Sequence, residues 1–460
     1  MNWANFLHIY QPAVQKPEII KRIASEAYAR IFSGLLDIER CRLTLNISGV
    51  LCDLLEKNGR QDILKQIREL VEKGNVELVG SAKYHAFLPL LPEKEIERQI
   101  ILNEETLNKH FGKNWKKGGF FPPEMAYSKK VAEVAKRLGY KWIIIDEMAF
   151  PDGRKANKDV VYEIDGLDGF AVFFRQRKLS FKILSASAES SMPGILRTLE
   201  GEAGEENTYA LTAMDGEIFG HHRPGLERLL FDLMKEEKIK PLTISEVLLN
   251  FTKRETIEPR PSTWAAVPRD FKIGQPYFRW NNRDNEIQQW QWRLLNLALE
   301  SADKNDAVIR KYLDQTLASD QFWWSSARPW WSLEWIERGA HDLKEIIKNS
   351  KAAKKEEKET AEELYKNIVF TAFSWQRTGL VDELSRGENE EIRQRLEEKE
   401  KFFMSREEYE EMIKAMEERM RESARRDDYH QAAMIQDRIA ELKVEMEKGA
   451  PRKEANDLMF

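Results

Sequence analysis

The first half of the chain alternates short apolar segments with amphipathic ones, and this alternation restricts the fold more than any other feature. Seven apolar segments have the length of strands, and the stretches between them have helical periodicity. The seven candidate strands are residues 3–10, 42–48, 75–80, 118–121, 142–146, 171–175 and 208–216. Strands that alternate with helices form parallel sheets, and this number of strands favours a barrel. We therefore expect an α/β fold with a barrel in residues 1–255.

Two acidic residues follow candidate strands at points where the chain must turn. Glu124 comes after two prolines and before a helix that Ser128 is expected to cap. Asp215 lies at the end of the last candidate strand. The carboxyl ends of parallel strands meet at one edge of a barrel, so both carboxylates are expected there. Two facing carboxylates are the catalytic groups of glycoside hydrolysis, although Glu124 alone also fits an ordinary surface turn.

Other polar residues are expected at the same edge of the sheet. The first candidate strand ends in HIYQP, which contains His8 and Gln11. Glu77 lies in the third candidate strand, and His221 follows the seventh. A single histidine is more often structural than functional. Histidines, amides and acids that converge on one edge indicate a binding site.

Five short segments resemble the motifs of glycoside hydrolase family 57. These segments are HIYQP (8–12), GNVELVGS (74–81), FFPPEMAYS (120–128), TAMDGEIFGHH (212–222) and ASDQFWWSSARPWW (318–331). The resemblance covers residues 1 to about 345 and implies a (β/α)7 barrel followed by a helical region. It also implies a retaining enzyme that acts on α-glucans, of the α-amylase or 4-α-glucanotransferase type. Tyr10 stands where many family members have a second histidine, which leaves the linkage preference open.

The resemblance implies roles for individual residues. Glu124 is expected to be the nucleophile, and Asp215 the general acid and base, with burial raising the pKa of Asp215. The residues expected to bind sugar hydroxyls or to line the sugar groove are His8, Gln11, Glu77, His221, Asp320, Trp323 and Trp324. For the two tryptophans, a purely structural role is an equal alternative. We expect neither a metal ion nor a cofactor.

Three other functions stay open at this point. An α-galactosidase would belong to the same family and use the same two carboxylates. A carbohydrate deacetylase has a related barrel, but it needs a divalent metal held by an aspartate and two histidines, and the adjacent pair His221 and His222 does not make such a set. A non-catalytic glucan-binding scaffold is the third, and the presence of both Glu124 and Asp215 weighs against it.

Composition excludes several classes of function. The net charge is −5 and the isoelectric point is near 6.0, so the chain has no general basic surface for nucleic acid. It contains neither a signal-peptide pattern at the N-terminus nor an apolar run of about 18 residues. We therefore expect a cytoplasmic protein without a membrane segment.

The second half of the chain differs in composition from the first. Nine of the thirteen tryptophans lie between residues 264 and 335, within segments of helical period. This pattern predicts a helical domain at 256–384 that completes the substrate groove. Residues 385–408 are rich in charge and are expected to form a linker, with a solvated coil and an exposed helix as the two alternatives for 385–403.

The last segment, residues 409–445, carries two apolar stripes with helical spacing and is expected to form a helical hairpin. It resembles the short helical motif of the excision-repair proteins UvrB and UvrC, where that motif mediates protein–protein contact. The matching residues are Met420, Ala424, Tyr429, Ala432, Ala433, Asp437, Arg438, Ile439 and Leu442. We expect a protein partner or self-association through this segment, and no role in DNA repair.

Overall fold

The computed structural model describes residues 1–151, 155–186, 192–205, 207–328, 330–388, 406–425 and 429–449. Its strands all lie in the first part of the chain. They are β1 (Asn2–Ile9), β2 (Leu43–Ile47), β3 (Val76–Leu78), β4 (Gly119–Phe120), β5 (Trp142–Asp146), β6 (Val161–Ile164), β7 (Ala171–Arg175), β8 (Tyr209–Asp215), β9 (Lys240–Leu242) and β10 (Arg254–Ile257). All seven predicted strands are present, with ends within two residues of the prediction.

The strands form two sheets. One has the order β3-β2-β1-β8, with β9 also beside β1, and the other has the order β10-β6-β7-β5-β4. The pairings are parallel except that of β6 with β7. The sheets meet where Gly80 pairs with Phe120, and again where the backbone N–H of Gln176 donates to the carbonyl of Leu211 at 2.9 Å. The predicted α/β class is therefore confirmed, whereas closure into a barrel stays a prediction.

Helices and connecting loops surround the sheets. The α-helices are α1 (Pro17–Ile23), α2 (Ala29–Leu36), α3 (Gly49–Lys57), α4 (Gln61–Glu72), α5 (Glu93–Phe111), α6 (Lys129–Arg137), α7 (Arg177–Leu184), α8 (Met192–Ala203), α9 (Glu227–Lys235), α10 (Ile244–Asn250), α11 (Pro268–Lys272), α12 (Glu286–Ser301), α13 (Ala307–Thr316), α14 (Asp320–Trp323), α15 (Leu333–Asn349), α16 (Lys355–Thr378), α17 (Arg406–Arg425) and α18 (Tyr429–Gly449). A π-helical turn (Ala24–Tyr28) joins α1 to α2, and 3-10 turns follow β4 (Pro123–Met125) and β8 (Gly216–Ile218). Ser128 caps α6 as predicted, since its side chain accepts a hydrogen bond from the Val131 N–H.

Apolar side chains from both sheets share one core. Phe6, Trp142, Phe173 and Leu211 belong to a single buried cluster. The strands β5 and β7 are buried along their whole length, as expected for parallel strands that are covered on both faces. This continuous burial explains why both strands read as uninterrupted apolar runs in the sequence.

Two segments of the helical region pass over the strand ends. The backbone N–H of Tyr127, beyond β4, donates to the carbonyl of Ser262 at 2.9 Å. The backbone N–H of Ser319 donates to the carbonyl of His85 at 3.0 Å. These contacts bring residues 262–264 and 319–320 against the carboxyl edge of the strands, where the candidate site lies.

The helical region extends beyond its predicted end. Residues 380–388 are helical, and Glu388 is buried in ion pairs with Arg279 and Arg269. The prediction of a linker from 385 is therefore wrong for 385–388, because this carboxylate anchors the chain to the helical region. Residues 389–405 lie outside the described residues.

The last two helices, α17 and α18, pack against one another. Ile413 of α17 is buried against Ile435, Ile439 and Leu442 of α18, and Met416 and Met420 border this contact. The side chain of Met412, which the sequence placed on the same stripe, lies outside the described residues, as do those of Tyr429 and Arg438. None of the helices in the described ranges is both long enough and apolar enough to cross a membrane.

Candidate active site

The carboxyl ends of β1 and β8 bring His8 and Asp215 side by side. The two residues are partners across the parallel pairing of the strands. A Cβ on the next residue, Gly216, would lie 2.5 Å from Cγ2 of Ile9, so only glycine lets the turn after β8 pack this closely against β1. Within the described chain, no side-chain hydrogen bond reaches the carboxyl group of Asp215. This carboxyl is therefore free to contact a bound molecule.

Glu124 lies on a strained turn after β4. Its backbone has φ 62° and ψ 15°, a left-handed conformation that costs a non-glycine residue about 1–3 kcal/mol. The backbone N–H of Trp264 donates to the Glu124 carbonyl at 3.0 Å, and the Trp264 indole N–H donates to Oε2 at 2.8 Å. The Ser319 hydroxyl lies 3.2 Å from Oε1. Both carboxyl oxygens are therefore fixed from the helical region, which stabilises the strained turn.

A chain of side-chain contacts runs from β2 to Glu124. Asn46 Oδ1 lies 2.7 Å from His8 Nδ1, and His8 Nε2 lies 3.1 Å from His85 Nε2. His85 Nδ1 then lies 3.1 Å from the Ser319 hydroxyl that contacts Glu124. Asn46, His8, His85 and Ser319 are all buried. Both ring nitrogens of His8 are thus in contact with protein atoms, and a sugar hydroxyl would have to displace one of these contacts.

Tyr10 connects the end of β1 to the helical region. Its ring stacks on the ring of His85 with centroids 4.0 Å apart, and its hydroxyl donates to Asp320 Oδ2 at 2.7 Å. Asp320 begins α14, so this single hydrogen bond spans the two parts of the molecule. The tyrosine thereby forms one side of the space next to Glu124.

Glu217 braces the turn after β8. Its carboxylate accepts hydrogen bonds from the Tyr10 backbone N–H at 3.2 Å and from the Tyr28 hydroxyl. The side chain of Gln11 also hydrogen-bonds to Tyr28. These bonds hold the ends of β1 and β8 to the π-helical turn. The carboxyl group of Glu217 is therefore engaged in hydrogen bonds within the protein, whereas that of Asp215 is not.

The sequence model for glycosyl hydrolase family 57 matches residues 6–259, which is more than half of the chain. The chain belongs to this family. The matched range contains His8, Glu124 and Asp215, whereas Ser319 and Asp320 lie beyond it.

Relatives of this family-57 chain include enzymes that act on α-glucans. The alpha-amylase of Pyrococcus horikoshii is 25% identical over 264 residues, which are 55% of this chain and 40% of that enzyme. The chain thus spans less than half the length of that relative. The crystal structure of the 4-alpha-glucanotransferase from Thermococcus litoralis matches with a TM-score of 0.62 and 18% identity, over 75% of this chain and 59% of that one. A GH57-type branching enzyme from Pyrococcus horikoshii matches with a TM-score of 0.57 and 19% identity, over 81% and 96% of the two chains.

The family-57 site gathers several carboxyl groups in a buried space. Burial, with the nearby charge of Asp215, raises the pKa of Glu124 to about 8. Burial raises the pKa of Asp215 to about 6, against the opposing charge of Arg175. The pKa of Glu217 is also raised to about 8 by burial and by Asp215, and burial raises the pKa of Asp320. Glu124 and Glu217 therefore retain their protons at neutral pH.

Arg175, the last residue of β7, and Arg177, just beyond it, support the wall that holds Glu124. Arg177 donates to the Trp264 carbonyl at 2.6 Å and to Asp146 Oδ1 at 2.7 Å. Arg175 is buried, lies 3.8 Å from Asp146 Oδ2, and places its guanidinium 5.8 Å from the centre of the Trp264 ring. These contacts fix the position of Trp264, and through it that of the Glu124 carboxyl.

The prediction that Glu77 lies at the strand edge is wrong. Glu77 is in register with Thr44, two residues before Asn46, because backbone pairing from β3 continues as far as Gly80. Its carboxylate accepts hydrogen bonds from the Thr44 hydroxyl at 3.2 Å and from the backbone N–H of Ser245 at 3.2 Å. It therefore holds the start of α10 and lies apart from the predicted residues that the structure brings together, which are His8, Gln11, Glu124, Asp215 and Asp320.

The remaining predicted residues lie around this group. His221 is on the turn after β8, with Nδ1 2.6 Å from Glu26 Oε2. Trp323 stacks on Trp330 with centroids 5.8 Å apart, and Trp324 meets the same ring edge-on at 5.9 Å. Trp330 is 43% exposed, so these rings offer an aromatic surface to solvent. Contact of His221 and of the two tryptophans with sugar stays a prediction.

Sequence reasoning missed several residues that complete the site. Asn46 and Arg175 are polar residues at the carboxyl end of otherwise apolar strands, and that position was an available signal. Trp264 and Ser319 carried no such signal, because each reaches Glu124 from a distant part of the chain. Their importance becomes visible only in the folded chain.

One group of side chains in the described chain has the composition of a metal site, and it lies on other elements. Asp53 and Glu56 of α3 and His110 of α5 bring their ligand atoms within 4.8 Å of one another. Lys83 pairs with Asp53 at 2.8 Å, and Lys109 pairs with Glu56. Two ammonium groups thus already neutralise the carboxylates.

Proposed function

We propose that this family-57 chain is a retaining glycosidase or transglycosylase that acts on α-glucans, of the α-amylase or 4-α-glucanotransferase type. The fold proposed for its catalytic part is a closed (β/α)7 barrel over residues 1–255. The helical domain at 256–384 would complete the groove for an α-glucan or oligosaccharide.

One observation carries this proposal. Glu124 is held in a left-handed turn by Trp264 and Ser319, and Asp215 is near enough to raise its pKa. A buried pair of carboxyl groups with different environments is the arrangement that glycoside hydrolysis uses. Strain in the backbone of a polar residue also accumulates where function demands it.

The proposed reaction has two steps. The ionised carboxylate of Glu124 attacks the anomeric carbon, while Asp215 gives its proton to the departing glycosidic oxygen. Asp215 then removes a proton from water, which completes hydrolysis, or from a sugar hydroxyl, which completes transfer. As Glu124 ionises, its negative charge favours the protonated form of Asp215, because like charges in a buried site oppose each other.

The substrate groove would combine polar and aromatic surfaces. Asp320, whose charge acts on Glu124, and Gln11, which hydrogen-bonds to Tyr28, would bind sugar hydroxyls. Trp323 and Trp324 would present indole faces to the apolar sides of sugar rings. The hydrogen bond between Tyr10 and Asp320 would limit the space at one side of the reacting sugar.

Product analysis tests this function. Purified wild type, Glu124→Gln and the exposed control Glu258→Gln are incubated with maltoheptaose, soluble starch and an aryl α-galactoside. Conversion of a glucan by the wild type and the control, but not by Glu124→Gln, supports the proposal. Longer products indicate transfer and shorter ones hydrolysis. Reaction with the galactoside alone would make the protein an α-galactosidase, and no reaction at all would favour a glucan-binding scaffold.

For the C-terminal helices we propose a contact function. The segment 409–445 would bind a protein partner or a second copy of the chain. Light scattering of the full chain, compared with a chain that ends at residue 388, distinguishes self-association from a monomer that needs a partner.

A further inference from the structure

The proposed nucleophile sits in an environment that opposes its ionisation. Glu124 must be a carboxylate when it attacks, yet burial and the neighbouring acids favour its protonated form. The chain of contacts from Glu124 through Ser319, His85 and His8 to Asn46 offers a place for the proton. This inference rests on the proposed function and extends it to the residues that connect Glu124 with β2.

The hydrogens along this chain can be assigned from one end. Asn46 Oδ1 can only accept, so the ring hydrogen of a neutral His8 lies on Nδ1 and its Nε2 accepts. His85 then donates from Nε2 and accepts at Nδ1. The Ser319 hydroxyl donates to Oε1 of Glu124 at 3.2 Å when that group is ionised, and when Glu124 is protonated the same hydroxyl can turn to donate to His85 and accept from Glu124. In this arrangement every group between Asn46 and Glu124 is neutral, and each contact pairs one donor with one acceptor.

We propose that Ser319 and His85 relay the proton of Glu124 to His8 when substrate is attacked, so that the proton stays inside the site. The Glu124 O–H bond breaks as a new O–H bond forms on Ser319. The former hydroxyl hydrogen of Ser319 moves to His85 Nδ1, and the hydrogen on His85 Nε2 moves to His8 Nε2. His8 becomes a cation that donates from both nitrogens, Glu124 becomes an anion, and the total charge is unchanged.

The residues around this series of hydrogen bonds favour the proton transfer. His8 is the strand partner of Asp215, whose negative form would stabilise an imidazolium. Glu124 faces Asp215 and Asp320, and the phenol of Tyr10 stacks on His85. Burial lowers the pKa of His8 to about 4, so His8 is neutral at rest, and positive charge that develops on the sugar favours the ionised form of Glu124 as the proton leaves it.

The pH dependence of the first chemical step tests the relay. We would measure formation of the glycosyl-enzyme from a dinitrophenyl α-maltooligoside, whose leaving group needs no proton from Asp215. In the wild type the rate constant should be nearly constant from about pH 7.5 down to about pH 5.5, because no proton is exchanged with solvent. In Ser319→Ala the rate constant should fall about tenfold for each pH unit over this range. Ser319→Thr keeps the hydroxyl and should restore the flat profile.

A purely structural role for Ser319 gives a different result. The rate constant of Ser319→Ala would then be lower than that of the wild type by one factor at every pH, and the relay would be refuted. A wild-type rate constant that itself falls tenfold per pH unit would refute it equally.

Nitrogen NMR of labelled histidine rings tests the relay without any activity. At about pH 6, His8 should carry its hydrogen on Nδ1 and His85 on Nε2. Above the pKa of Glu124, near 8, the Ser319 hydroxyl should donate to the carboxylate and the hydrogen of His85 should move to Nδ1, while His8 keeps its hydrogen on Nδ1 against Asn46. Glu124→Gln donates to Ser319 at any pH and should keep the first pattern. Ring signals of the wild type that do not change up to about pH 10 would overturn the relay, even if the proposed activity is confirmed.

Discussion

The hydrogen bond from Trp264 to Glu124 gives the sharpest quantitative test of the site. Trp264→Phe removes the indole N–H that donates to Oε2 at 2.8 Å and keeps an aromatic ring in its place. A hydrogen bond to a charged group contributes about 1.5–3 kcal/mol, and it acts on the ionised form of Glu124. This bond lowers the pKa of Glu124, so its loss raises a pKa that is already about 8.

The magnitude follows from the exponential dependence of rate on free energy. If the ionised form of Glu124 loses about 1.5–3 kcal/mol of stabilisation, kcat/KM at neutral pH falls by about 10-fold to 100-fold. The matched control is Trp331→Phe. The indole nitrogen of Trp331 is buried and has no hydrogen-bond partner in the described chain, so this exchange removes an N–H group that does not contact Glu124.

The assay is steady-state kinetics on maltoheptaose, with thermal unfolding of each variant measured alongside. The reasoning predicts a large loss for Trp264→Phe, little change for Trp331→Phe, and similar unfolding temperatures for the two. If both variants lose activity equally, or if Trp264→Phe keeps that of the wild type, the bond does not support an ionised Glu124.

Three further predictions concern stability. The pKa of Glu124 is raised from 4.5 to about 8, so the folded state binds the extra proton and the free energy of unfolding falls as pH rises through this window. Urea titrations should show that Glu124→Gln gains up to about 5 kcal/mol over the wild type between pH 4.5 and 8, whereas a constant difference would contradict this. Gly216→Ala should lower the free energy of unfolding by about 1–3 kcal/mol through overpacking, while Gly201→Ala, which has open space within 4 Å, should not lower it. Equal effects of the two substitutions in urea would refute the packing argument. Arg310→Met should cost about 3–5 kcal/mol because it leaves the buried carboxylate of Glu95 unpaired, although Asp314 keeps its pair with Arg98. Lys73→Met in an exposed pair should cost under about 1 kcal/mol, and similar losses would show that burial is not the cause.

The strands that are buried along their whole length were predicted best from the sequence. The predicted limits of β5 and β7, 142–146 and 171–175, are those observed, because both strands are buried along their length and read as apolar runs. The strands β6, β9 and β10 were missed. Lys240–Leu242 is three residues long and contains a proline, and three of the four residues of Arg254–Ile257 are exposed. Short or exposed strands at the margin of a sheet are held mainly by backbone pairing, so their sequences lack the apolar pattern that predicts a strand.

Within the site, the acidic residues next to strand ends could be predicted from the sequence. The residues that contact them from the helical region could not. Glu124 and Asp215 stand out because local turn signals place them at the carboxyl edge. Ser319 and Trp264 lie 195 and 140 residues from Glu124, and their role depends on how the helical region docks. Glu77 was misplaced because the sequence does not reveal that pairing beyond β3 continues to Gly80.

Trapping of the covalent intermediate tests the central claim most directly. The wild type is incubated with a fluorinated maltosyl substrate whose glycosyl-enzyme breaks down slowly, digested and examined by mass spectrometry. The account predicts one added glycosyl unit on the peptide that contains Glu124, and no label in Glu124→Gln. A label on Asp215, or turnover of natural substrate without any label on Glu124, would contradict it.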